Sequence, residues 1–182
     1  DAKEALKESD LDFDKAVIYL REKGLADSKK RSGREANEGT IGDYIHYQQD
    51  RAVAGVLVEL ACETDFVAKS EEFKEAAKQI AMHIAAMKPA YLNIEEVPES
   101  KVNEEKDIIK KQSENEGKPQ EVIDKIVEGK ITSFYSDTVL NEQIFCNPEL
   151  YEGTVGNMID EMSGKLGEKI YIKQFSHIEI GT

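Results

Sequence analysis

The side chains of this 182-residue chain best suited to nucleophilic, general-base or soft-metal chemistry are Cys62, Cys146, His46, His83 and His177. Their spacing organises none of those chemistries. No two histidines stand at metal-ligand spacing. Two cysteines make neither a disulfide scaffold nor a zinc site of cysteines. Cys62 and His83 have the types of a nucleophile and its base, yet no elbow or glycine signature accompanies them. Cys62, on a strand expected to be central, reads as a small buried apolar residue. No Gly-rich loop is placed to cradle a phosphate. The 37 Asp and Glu residues are too many for a pair of them to carry information, and most belong to solvated faces. The residues thus point to a protein without bond-making chemistry, metal or cofactor.

The informative segment is the short run Glu63-Thr64-Asp65-Phe66-Val67-Ala68-Lys69. It joins an apolar strand to an apolar-striped helix, and it puts Phe66 and Val67 where a surface loop is normally polar. Two readings are open. Phe66 and Val67 fold back as a lid on the core, or Phe66 projects outward as an anchor with Asp65 fixing orientation beside it. An exposed aromatic on a loop held by rigid elements is what a recognition hot spot requires.

Those rigid elements are legible in the apolar pattern. Residues 1–24 read as two short helices broken at Asp10-Leu11-Asp12, with Ala5, Leu6, Phe13, Ala16, Val17 and Leu20 at helical spacing and Gly24 as the stop. Two helices of this length need another surface to pack on. Residues 25–40, with Lys29, Lys30, Arg31 and Arg34, carry a linker composition. A hairpin follows: Ile41 to Tyr47, a turn at Gln48-Gln49-Asp50, and Val53 to Leu60. The second strand is apolar on both faces, as a central, covered strand is. A helix from Ser70 to Met87 presents Phe73, Ala76, Ala77, Ile80, Ala81, Ile84 and Met87 as one stripe. Helices over 101–114, 120–134 and 155–166 come next, the first two separated by Gly117-Lys118-Pro119. A last strand carries Ile170, Ile172, Ile178 and Ile180. Strands segregated from helices predict an α+β domain over 41–182, with helices on one face of a small antiparallel three-stranded sheet.

Charge narrows the partners. Residues 1–51 hold 12 acids against 10 bases, whereas residues 52–182 hold 25 against 14, and the whole chain carries −13. A nucleic-acid backbone demands a dense basic footprint, so direct nucleic-acid binding is not expected. No apolar run approaches the length that spans a membrane. The two cysteines fit a reducing, cytoplasmic compartment.

At Thr64-Asp65-Phe66-Val67-Ala68 the sequence resembles the elongation factor Ts family, whose signature is T-D-F-V-A. The likeness extends to Asp1-Ala2-Lys3-Glu4-Ala5-Leu6, with Ala2 where the family usually has Cys. It continues through Leu20-Arg21-Glu22-Lys23-Gly24, Ala81-Met82-His83-Ile84-Ala85-Ala86-Met87-Lys88-Pro89, Gly117-Lys118-Pro119 and Lys125-Ile126-Val127-Glu128-Gly129-Lys130. The resemblance implies a guanine-nucleotide exchange factor of protein biosynthesis that acts on the GTPase elongation factor Tu. Thr64, Asp65, Phe66 and Val67 would meet that partner, with Phe66 wedged between two of its helices near the bound Mg²⁺. Leu20, Arg21, Gly24 and His83 are implied as secondary contacts, although His83 reads equally as a packing residue. The family's N-terminal module is a three-helix bundle of the ubiquitin-associated type, and residues 1–24 match only its second and third helices. The likeness to short members, with one core module, implies a homodimer. Outside the resemblance, a ubiquitin-binding or scaffolding module and an enzyme using Cys62 are the competing readings.

Overall fold

A computed structural model describes residues 2–181, apart from the side chains of Arg21, Leu25 and Lys29. Asp1 and the side chains of Arg21 and Lys29, all named above, therefore lie outside the described residues. The chain divides into two compact units, Asp1–Ala85 with Gly156–Thr182, and Ala86–Val155.

In the first unit, α1 (Ala2–Glu8) and α2 (Phe13–Arg31) are separated where expected. Asp10 and Leu11 both adopt positive φ, at 51° and 64°, which no helix can continue through. The Asp12 carboxylate then accepts the Lys15 N–H at 3.1 Å and starts α2. Lys23 and Glu4 tie the two helices with an ion pair of 2.9 Å.

Gly24 does not stop α2, and residues 25–31, expected as linker, form its last two turns. Gly24 lies instead beneath a helix crossing. α7 (Val155–Leu166) crosses here, and a Cβ on Gly164 would lie 3.1 Å from the Gly24 Cα. Hydrogen bonds from Ser28 Oγ to Asp160 Oδ1 and from Arg31 Nη1 to the Ser163 carbonyl extend the crossing. The close approach thus asks for glycine at position 164, whereas a Cβ on Gly24 would meet nothing within 4 Å. Ala5 and Ala16 are buried on these helices, but Phe13 and Val17, at helical spacing with Ala16, are exposed together with Leu11 and Ile18.

The sheet is three-stranded and antiparallel, in the order β1 (Glu38–Gln48), β2 (Arg51–Cys62), β3 (Tyr171–Glu179). Gln48 pairs with Arg51, so only Gln49 and Asp50 form the hairpin turn, with Gln49 at φ 56°. Gly42 pairs with Val58, and on that face Val56, Val58 and Leu60 are buried. α4 (Glu71–Met87) lies against the same face. A Cβ on Gly42 would stand 2.2 Å from the Ala77 carbonyl oxygen. The α+β class with a small antiparallel sheet and helices is what the sequence predicts.

β2 is central as expected but is not covered on both faces. Leu57 is 54% exposed, and Ile41, Ile45 and Ile178 on the same face are exposed with it. Alternation of side chains across a strand gives β2 one covered and one open face, each largely apolar.

The second unit is built on α5 (Glu99–Asn115) and α6 (Gln120–Thr138), joined at Gly117, whose φ of 72° favours glycine, and Pro119. Ile109, Ile123, Val127 and Ile131 form its apolar core. Buried Gln143 closes the end of α6 by donating to the Asp137 carbonyl at 2.8 Å.

The two glycines of opposite surroundings give opposite outcomes. Gly42→Ala forces α4 off the sheet and is expected to cost about 3 kcal/mol. Gly129 sits exposed in α6 with nothing near its absent Cβ, so Gly129→Ala is expected to stabilise by about 0.5–1 kcal/mol. Calorimetric melting checks both: a fall in Tm of about 6–12 °C for the first and a rise of about 2–3 °C for the second.

Candidate functional site

The run from Glu63 to Lys69 folds as a single helical turn, α3 (Asp65–Ala68), between β2 and α4. Thr64 begins it with extended backbone, φ −125° and ψ 151°, and its hydroxyl oxygen accepts the Val67 N–H at 3.4 Å. Its carbonyl accepts the Ala68 N–H at 3.1 Å. Ser70 closes the other end: its hydroxyl donates to the Val67 carbonyl at 2.8 Å and accepts the Phe73 N–H that opens α4.

Within this turn the two apolar residues part company. Phe66 is 83% exposed, whereas Val67 is 6% exposed and Ala68 is buried beside it. Each earlier reading describes one residue: Val67 folds back as a lid, and Phe66 stands out. Asp65 is exposed next to Phe66 and pairs with Lys69 one turn on, at 2.5 Å. The Lys69 hydrogen bond and charge hold the Asp65 carboxyl below its usual range. A bare aromatic ring and a carboxylate thus share one exposed shelf.

Two carboxylates anchor the shelf from below. Glu168 follows Gly167, which ends α7 with φ 74°. Glu168 Oε2 accepts the Glu63 and Thr64 N–H groups, each at 3.1 Å, and its Oε1 accepts the Thr64 hydroxyl proton at 2.6 Å. Glu63 returns the favour: its Oε1 accepts the Lys169 N–H at 2.5 Å and the Arg34 guanidinium at 3.2 Å. The Lys169 ammonium in turn donates to the Arg34 carbonyl at 2.9 Å. Neighbouring residues on two strands' ends therefore hold each other's backbone. Sequence reading named Glu63 only as a strand end and missed Glu168. The β2–β3 register brings them together: continuing it past Ala61↔Tyr171 sets Glu63 opposite Lys169 and Thr64 opposite Glu168.

Of the residues expected to give secondary contacts, Leu20 is half-buried on α2, Gly24 lies at the α7 crossing, and His83 is fully buried on α4. None of these belongs to the shelf around Phe66. Cys62 is sealed in the core and donates to the Thr64 carbonyl at 3.2 Å. Burial pushes its thiol up to about 11, which removes the thiolate a nucleophile needs. Among the described residues, no cluster of His, Cys, Asp and Glu is arranged to hold a metal ion.

A family model described as elongation factor TS matches residues 20–181. The chain belongs to the elongation factor Ts family. It is 46% identical over 181 residues to elongation factor Ts of Fervidobacterium nodosum, covering all of this chain and 89% of the relative. Elongation factor Ts of Syntrophus aciditrophicus is 45% identical over 182 residues, with 88% of the relative covered. The Thermoanaerobacter sp. (strain X514) protein is 48% identical over 181 residues, with 86% covered. Membership makes this an elongation factor of protein biosynthesis, and the family implies guanine-nucleotide exchange on elongation factor Tu without bond-making chemistry. The turn that exposes Phe66 thus lies within the residues that the family model matches.

The Glu63 anchor carries a pH signature. The Lys169 N–H, and after it Arg34, hold the Glu63 carboxyl below its usual value near 4.5 against the opposing effect of burial. A depressed pKa in the fold means that the stabilisation is complete above about pH 4.5 and is lost as pH falls through the lower folded value. Glu63→Gln is therefore expected to lower Tm by about 2–4 °C at pH 7, a loss of about 1 kcal/mol. As pH falls below about 4.5 the gap to the unaltered protein should narrow. Calorimetry across that range checks it; a gap independent of pH contradicts the ionised role.

Proposed function

We propose that this protein releases GDP from elongation factor Tu by pressing Phe66, with Asp65 beside it, between two helices of the GTPase near its Mg²⁺ site. One observation carries the reading: Phe66 is exposed while its chain neighbours Val67 and Ala68 are buried. A large apolar side chain held in water by a fixed backbone is poised to bury itself in a partner.

The GTPase holds nucleotide through phosphate-binding amides and a Mg²⁺ ion that bridges phosphate oxygens. Moving the elements around that ion weakens nucleotide binding. By linkage, rebound nucleotide weakens the exchange factor equally, so the factor departs after each cycle. Burying one Phe supplies about 1.5–3 kcal/mol. At about 1.4 kcal/mol per tenfold, that is one to two decades of preference for the nucleotide-free partner. The remainder comes from a broader interface, in which Thr64 and Val67 fix the turn and the helices of residues 1–24, with Leu20, Arg21 and Gly24, make a second contact. His83 contributes by supporting α4 from inside.

A cytoplasmic site of action goes with this role, and no described helix is long and apolar enough to cross a membrane. The acidity of the chain speaks against direct nucleic-acid binding. We further propose a homodimer, with the open sheet face as the place where a second copy packs. Ile41, Ile45, Leu57 and Ile178 are exposed there around Gly55. Two such faces stacked about 10 Å apart bury both sets.

Release of fluorescent GDP from elongation factor Tu tests the wedge. Phe66→Ala is expected to keep the melting curve, because the ring touches solvent, and to slow stimulated release by about tenfold or more. Unchanged release from a folded variant would retire the wedge. Light scattering tests the dimer: a mass near twice 20.4 kDa is expected, and Leu57→Glu should bring it to that of one chain. A monomeric unaltered protein at micromolar concentration would remove the dimer.

A further inference from the structure

We infer that Glu168 is a positioning residue for exchange, directing Phe66 by fixing the backbone and hydroxyl of the turn that carries it. The inference rests on the wedge reading above. It assigns to the segment between α7 and β3 a part in a function carried by the segment between β2 and α4, more than 100 residues earlier in the chain.

A single Glu168 carboxylate accepts three donors from two successive residues, Glu63 N–H, Thr64 N–H and Thr64 Oγ–H. A carboxylate that merely solvates a surface has no reason to collect three protein donors. The third donor matters most. A hydroxyl that gives its proton to Glu168 Oε1 turns its lone pairs away from that oxygen, and one of them receives the Val67 N–H. The chain of contacts therefore runs from Glu168 through Thr64 to the amide next to Phe66. Val67 and Ala68 pin the turn to the core, and Ser70 fixes its far end. The near end has Glu168. Without it the Thr64 hydroxyl is free to rotate, the cap on Val67 loosens, and α3 can swivel about its buried residues. Phe66 then samples directions of which few meet the partner's groove. That freedom must be given up on binding, which costs affinity for the exchange-competent state.

The reciprocal contact from Glu63 to Lys169 does not replace Glu168. It restrains the backbone of the β3 side and leaves the Thr64 hydroxyl untouched. Among the described contacts, Glu168 alone addresses that hydroxyl from outside the turn.

The test is a double-mutant cycle on the full chain with Glu168→Gln and Phe66→Ala, read by fluorescent-GDP release from elongation factor Tu at saturating factor. Glutamine keeps the shape but has one accepting oxygen, so at least one of the three donors loses its acceptor. Glu168→Gln is expected to slow release about 3–10-fold, with melting within about 4 °C of the unaltered protein. In the Phe66→Ala background the same change should slow release less than about twofold further, because Glu168 acts through that ring. Equal slowing in both backgrounds, or none in either, overturns the positioning role while leaving the wedge standing. Full exchange by folded Phe66→Ala overturns the wedge, and the role of Glu168 with it. Should Glu168→Gln fail to fold, Glu168→Asp enters the same cycle with the same expectations. Failure of both to fold makes Glu168 a folding residue and overturns the inference.

Discussion

Successive residues of an α-helix point about 100° apart, so in a one-turn helix the burial of two neighbours dictates where the residue before them must face. In α3 the inward pull on Val67 and Ala68 sends Phe66 outward. The cost of an exposed phenyl ring is thus offset by the burial of its neighbours and by the hydrogen bonds at both ends of the turn. The arrangement needs β2 and α4 to be fixed relative to each other, because a turn of four residues has no slack. Gly42 secures that: without a side chain there, the Ala77 carbonyl can approach the sheet closely enough for Phe73, Ala77 and Ile80 to be fully buried. The function proposed for Phe66 therefore begins at a missing methyl group on β1.

Carboxylates in this acidic chain divide into two kinds. Most lie on exposed faces, where ion pairs such as Lys101 with Glu104 add little. Glu63 and Glu168 are different, since both accept backbone N–H groups beyond their own strand. Backbone amides at the end of a strand have lost their ladder partners and must be satisfied somehow. Where β2 and β3 separate, the carboxylate oxygens take over the ladder. This holds the strand ends in register for two further residues and starts α3 at a defined place.

Much of this was legible in the amino-acid order, for identifiable reasons. The hairpin, the stripe on α4 and the break at Gly117-Pro119 are local patterns, and local physics produces them. Gly24 misled because a glycine between helical residues is not always a helix end: α2 runs on through it, and its Cα lies where α7 passes. The glycine that the crossing does require is Gly164, 140 residues away. β2 misled for a related reason: an apolar strand face is covered by its own chain or is left open for another, and the pattern is the same. Phe66 and Val67 were ambiguous as a pair because hydrophobicity does not distinguish two adjacent residues; the helical turn does. Glu168 was invisible because a strand register, not a motif, brings it to Thr64.

An exchange factor needs no group to transfer, only a surface that fits one state of its partner better than another. Such selectivity depends on what the surface cannot do. A mobile Phe66 would follow the GTPase groove as nucleotide returned and would favour both states alike, and equal affinity for two states shifts nothing. A ring held by Val67 and Ala68 beneath it, Ser70 behind it and Glu168 through Thr64 has one preferred direction, so it rewards only the partner conformation that accepts it there. On the proposed wedge, rigidity of the turn is the physical source of discrimination, and the carboxylate–backbone contacts under α3 would belong to the mechanism as much as the aromatic ring does.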